Sequence, residues 1–176
     1  MVTARSSLWP SLETPAGLDL AVRNGYFACL LICLITICLI LLGGTALGAL
    51  VDICFFFMAG VGTRSFSRLA AGSAMVMLLA ERTVAMTAGH LGASDLLGLI
   101  FLPVLFHATH ASFAARTMGI TAEAPVIESP RDWLESIEAI PGWLWPKIWV
   151  AFRFYLVGLI VLMLASFVVR QVGLLS

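Results

Sequence analysis

The apolar positions of this 176-residue chain fall into long runs with no strand-like alternation. From Tyr26 to Gly62 the sequence is apolar with scarcely a break. A bilayer core needs only about 20 residues in helical form, so the stretch predicts two spans. Gly43-Gly44-Thr45 is the place where paired glycines can turn the chain between them. Span one then covers residues 25–42 and span two residues 46–62. An amino-terminal apolar run followed by small residues also has the outline of a cleaved signal peptide. The long polar arm before it and the length of the run argue against that reading.

Arg64, Ser65, Ser67 and Arg68 make a short polar turn, and apolar character resumes over 69–88, interrupted by Glu81-Arg82. Gly89-His90-Leu91-Gly92 opens a second turn that Asp95 closes. Span four follows over 96–115, with Pro103 as an expected kink and His107 and His110 within it. Turns this short predict antiparallel neighbours in a bundle.

Residues 117–142 change character, with Glu123, Glu128, Asp132, Glu135 and Glu138 set against one arginine. Ser129-Pro130 followed by Asp132 has the form of a helix start. Trp133, Ile137 and Ile140 then share one face of a short helix expected at the membrane surface. Trp143, Trp145 and Trp149 with Lys147 form an aromatic and basic girdle of the kind that anchors a helix at the interface. A fifth span over 148–169 ends at Arg170.

The predicted fold is therefore an all-α polytopic membrane bundle of five transmembrane helices, plus the short interfacial helix. Four spans remain if residues 25–62 do not turn. The chain divides into a polar amino-terminal arm (1–24), a four-span bundle (25–116), an acidic cytoplasmic connector (117–142), and a last span with the carboxyl terminus (143–176).

Composition agrees with this pattern. Hydrophobic residues make up 61% of the chain and charged residues 11%, and the mean hydropathy is +1.03. Soluble domains carry about 25% charged residues, so a soluble enzyme is excluded. Ten basic residues balance ten acidic ones, and no basic patch points to nucleic acid. Cys29, Cys33, Cys38 and Cys54 lie inside apolar runs without a C-x-x-C pair and read as packing residues.

The distribution of basic residues sets orientation. Arg5, Arg23, Arg64, Arg68, Arg116, Arg131 and Lys147 fall on one side of a five-span chain, and Arg170 on the other. Cytoplasmic loops hold the excess of Lys and Arg, which puts the amino terminus inside. Compact size and short loops point to a bacterial cytoplasmic membrane.

Charges within a bilayer are costly and are functional-site candidates by default. At 1.5 Å per residue, Asp52 lies about 10 Å below the outer turn, and Glu81 and Arg82 about 10 to 12 Å below the same face. This predicts a polar layer and an Asp52–Arg82 ion pair across spans two and three. Its plain reading is interhelical glue, and its sharper one a pathway for protons or a small polar solute. His107 and His110, three residues apart on one helix, and Arg153, roughly 9 Å in from the cytoplasmic end, form a second candidate layer. Snorkelling back to the interface is the plain account of Arg153. Two histidines on one helix without a matching carboxylate motif are too little for a metal or haem site, so no cofactor is assigned. Gly44-x-x-x-Gly48 and Ala70-Ala71-Gly72-Ser73-Ala74 favour close helix packing.

The expected role is a non-enzymatic membrane component, since no catalytic motif is present. Its partners are the lipid bilayer and either another membrane protein or a second copy of itself, with Trp133 on the apolar face of the connector as docking surface. The alternative is a small transporter or proton-conducting unit using Asp52, Glu81 and Arg82.

Overall fold

A computed structural model describes residues 9–42, 46–87, 93–119 and 133–173. All regular structure among them is helical, in five elements: α1 (Pro15–Leu41), α2 (Ala46–Arg64), α3 (Arg68–Thr87), α4 (Ala93–Thr117) and α5 (Trp133–Gly173). Four segments are long and apolar enough to cross a membrane: Pro15–Leu41, Arg68–Thr87, Gly98–Thr117 and Ile137–Leu162. The chain is thus a helical bundle with the make-up of a membrane protein. The turn at residues 43–45, the one at 88–92 and the helix start at Ser129-Pro130 lie outside the described residues.

α1 begins ten residues before the boundary expected at Gly25. Thr14 caps it, its side-chain oxygen accepting from the Gly17 backbone N–H at 3.1 Å, and Pro15 stands in the first turn with its φ already set for a helix. Leu18, Ala21 and Val22 recur at helical spacing and pack against Ala111 and Ala115 of α4. The arm is polar by composition because Asp19 and Arg23 stand among these residues, and each has a partner on another helix.

α2 is the centre of the bundle and packs against α1, α3 and α5. Its core contribution comes from Phe55, Phe56, Ala59 and Val61, all at most 1% exposed. Close approach is set by Gly62. A Cβ there would collide with the Cβ of Ala70 on α3 and with the ring of Trp145 on α5. The connection to α3 is tight: the Ser67 N–H donates to the Gly62 carbonyl at 2.9 Å and the Phe66 N–H to the Thr63 carbonyl at 3.0 Å. Phe66 takes a left-handed backbone conformation with φ 54°. That conformation costs a non-glycine residue roughly 1–2 kcal/mol. The Phe66 side chain meanwhile packs on the Leu18–Ala111 cluster.

α5 departs most from expectation. The short helix expected at the membrane surface and the following span are one helix of 41 residues, with Pro141 and Pro146 inside it. At 1.5 Å per residue it is about 60 Å long, twice the thickness of a bilayer core, so only part of it can lie in hydrocarbon. Its main packing is against α2, along a seam made by Trp145 on Gly62, Phe152 on Phe55 and Tyr155 on Val51. α1 tethers its beginning: the Tyr26 hydroxyl donates to the Ile137 carbonyl at 3.0 Å, and Arg23 Nε lies 2.9 Å from Glu138 Oε1. α3 and α4 pack on each other and stand away from α5, which leaves a groove between them.

Candidate functional site

The first predicted polar layer is present as a neighbourhood but not as the expected bond. Asp52, Glu81 and Arg82 are close enough to interact electrostatically. Asp52 and Arg82 do not form the expected ion pair. Arg82 Nη2 instead lies 3.8 Å from Glu81 Oε2, a neighbour on its own helix. The Arg82 guanidinium extends over Gly98 of α4, where any side chain would collide with it. Residue counting thus brings the three groups near one another, whereas it does not give the direction of Arg82 around its helix axis. The other carboxylate oxygen of Glu81, Oε1, is buried without a hydrogen-bond partner among the described residues.

The second predicted layer is taken apart. His107 is buried, and its ring stacks on Trp9 with centroids 4.5 Å apart and an interplanar angle of 24°. Its Nε2 is 3.0 Å from the Pro10 carbonyl, which can only accept, so the N–H sits on Nε2. His107 thus fastens the segment preceding α1. His110, one turn along, is exposed and faces away beside Phe106, 6.5 Å between ring centroids. Arg153 is on neither of these. Its guanidinium lies 4.1 Å from the centroid of Trp149, one turn back toward the end of the bundle that carries Arg68 and Arg116. That is the direction expected of a snorkelling side chain.

The three predicted anchors also separate. Trp143 is exposed with Lys147 Nζ 5.1 Å over its ring, and Trp149 is exposed beneath Arg153. Trp145 turns inward instead, against Gly62 and Phe152, with a 5.6 Å ring separation from the latter. Every third or fourth residue of α5 faces α2, and 145 belongs to the row that includes 152. Of the cysteines, Cys29 and Cys33 are buried and Cys38 and Cys54 exposed, all as free thiols. No group of three His, Cys, Asp or Glu side chains able to hold a metal occurs among the described residues.

Two features were not singled out from the sequence. One is the ion pair from Arg64 Nη1 to Asp19 Oδ1 at 2.6 Å, in which the arginine is 2% exposed. It joins the ends of α1 and α2. The other is the groove between α3, α4 and α5, about 970 Å³ in volume, with Phe55 of α2 at its floor and Arg68, Arg116 and Arg153 on its lining. A smaller cavity of about 610 Å³ adjoins it and is lined by Arg68, Arg116 and His110. The available sequence signal was that Arg64 and Arg68 are four apart across a turn, so they point to different neighbours.

No known protein family matches the chain, and no curated protein or solved structure does either.

Proposed function

We propose that the chain is a non-enzymatic component of a membrane assembly, a five-span protein of a bacterial cytoplasmic membrane with its amino terminus inside, which packs through α5 on a partner protein or a second copy. The observation that carries this reading is the isolation of α5. Away from its seam with α2, it offers a continuous apolar face, with Phe154 76%, Val157 59% and Val161 57% exposed. The polar groups elsewhere support the same reading, since Asp19, Arg23, Arg64, Glu138 and His107 all serve contacts between segments of the chain. On this reading α2, the second predicted span, crosses together with the four segments long and apolar enough to do so. Its 19 residues measure about 28 Å along the axis, close to a bilayer core, and it packs among helices long and apolar enough to cross. The seven basic residues on the amino-terminal side favour the orientation.

The test is photocrosslinking in native membranes from a probe placed at Phe154, Val157 or Val161, compared with probes at Leu34 and Leu39 on the exposed face of α1. The expected result is one discrete protein adduct from α5 positions and none from α1. Lipid adducts alone from both faces overturn the reading.

A second reading rests on the buried Oε1 of Glu81 beside Asp52 and Arg82. On it, the layer passes protons or a small polar solute. Proton flux into vesicles reconstituted with the protein, abolished in Glu81→Gln, is its expected signature. Flux indistinguishable from empty vesicles removes it.

A further inference from the structure

Three arginines with no carboxylate partner among the described residues converge on one groove. Among the described residues Arg23, Arg64 and Arg82 each have a carboxylate oxygen within 4 Å, at 2.9, 2.6 and 3.8 Å. Arg68, Arg116 and Arg153 have none among the described residues, and all three line the space between α3, α4 and α5. No acidic residue lines it among the described residues. Two of the three are held in place by aromatic faces, Arg68 over Phe113 at 5.3 Å and Arg153 over Trp149 at 4.1 Å. A ring orients a guanidinium and leaves its charge and its outward N–H groups available.

The rest of the groove is hydrocarbon. Val76 and Met77 of α3 face Leu156, Leu159 and Ile160 of α5, across a space left because α5 packs on α2 rather than on α3 or α4. The serine hydroxyls in the lining are engaged with nearby backbone, Ser67 accepting from the Ala70 N–H at 3.4 Å, Ser73 donating to the Ala70 carbonyl at 3.0 Å and Ser112 to the Ala108 carbonyl at 2.9 Å. The polar character of the groove therefore resides in the three guanidiniums. Arg68 begins α3 and Arg116 is in the last turn of α4, so both stand at the same end of the bundle. Arg153 reaches back toward them over Trp149. The groove is cationic at one end, apolar along its length, and about 970 Å³ in volume.

A free inorganic anion would satisfy the arginines and leave the apolar walls bare. A neutral lipid would cover the walls and leave the charges unmet. We propose that the groove is a binding site for an anionic phospholipid, with its phosphate held by Arg68, Arg116 and Arg153 and one acyl chain lying along Val76, Leu156 and Ile160. Guanidinium forks match phosphate oxygens in pairs, and basic pockets between transmembrane helices recognise anionic headgroups on this principle. The adjoining cavity with His110 gives the remainder of the headgroup a polar place beside the same two arginines.

The experiment is native mass spectrometry of the full chain in detergent, mixed with phosphatidylglycerol or with phosphatidylcholine. The expected result is retention of phosphatidylglycerol at least about tenfold above phosphatidylcholine, since each arginine near a membrane surface contributes about a fivefold gain for an anionic lipid. Arg68→Gln/Arg116→Gln/Arg153→Gln abolishes the preference, the corresponding triple lysine variant keeps part of it, and Lys147→Gln, outside the groove, leaves it unchanged. If the triple glutamine variant does not fold, Arg116→Gln at an exposed helix end gives the same reading with a loss of about fivefold. Equal retention of the two lipids by the wild type overturns the proposal. So does a preference that survives in the folded triple variant, or one that Lys147→Gln removes as well. Displacement of the lipid by equimolar inorganic phosphate also overturns it, because the site would then belong to a small anion.

Discussion

Removing Asp19 should harm the protein more than removing the arginine it holds as well. Arg64 is 2% exposed, and among the described residues its Nε is buried without a hydrogen-bond partner and its carboxylate partner is Asp19, at 2.6 Å. Asp19 itself is 44% exposed. Breaking a fully buried pair costs 3–5 kcal/mol, and exposed pairs contribute about 1 kcal/mol or less. With one partner buried and the other half in solvent, Asp19→Ala is expected to cost about 2 kcal/mol, roughly thirtyfold in the folding equilibrium. Arg64→Met replaces the buried cation with an apolar chain of similar reach and leaves Asp19 to water, at an expected cost of about 1 kcal/mol. The double variant should then be more stable than Asp19→Ala alone, because the charge that Asp19 had to neutralise is gone. Equilibrium unfolding in mixed micelles, followed by circular dichroism, measures the three variants against wild type. Costs that simply add, or an Asp19→Ala variant within about 0.5 kcal/mol of wild type, would refute the reasoning.

Three further outcomes follow from other contacts. His107→Ala removes both the stack on Trp9 and the bond to the Pro10 carbonyl, so Trp9 emission should shift red and protease should cut sooner near residues 9–12, with His107→Phe intermediate; an unchanged cutting pattern refutes it. Gly62→Val forces a side chain into Ala70 and the Trp145 ring, and should destabilise by about 1–3 kcal/mol, with Trp145→Ala in the same chain recovering part of the loss; absence of any recovery counts against the seam. Tyr155→Phe removes the hydroxyl that donates to the Val51 carbonyl at 2.8 Å, and should cost about 0.5–1.5 kcal/mol in the same unfolding assay.

Hydrophobic runs give the helices of this chain and their order, because the requirement to satisfy backbone groups in lipid leaves little else for such runs to become. Ends were less legible. The start of α1 was concealed by Asp19 and Arg23, which lower the local apolar count although both are paired across helices. The acidic connector and the tryptophan girdle suggested a surface helix separate from the span, yet α5 is continuous through both, with Pro141 and Pro146 inside it; a proline ring can be accommodated where the local backbone bends or finds other partners. For the candidate site, residue counting at 1.5 Å per step placed Asp52, Glu81 and Arg82 in one neighbourhood. It could not say that Arg82 would lie over Gly98, since a bare glycine surface becomes visible only when two helices are brought together. The same limit hid the role of His107, whose partners Trp9 and Pro10 are nearly a hundred residues away. Arg68, Arg116 and Arg153 come from three different helices, and nothing along the chain relates them until those helices are assembled.

The way α5 is attached bears on how the chain is put together during synthesis. Helices α1 to α4 pack on one another without it, so they can close while α5 is still in the ribosome. The later arrival then has one receiving surface, the flank of α2, and two fasteners on α1 to stop it sliding. The insertion of α5 therefore sets the shape of the cleft beside α3, and any misplacement of it would be registered there first.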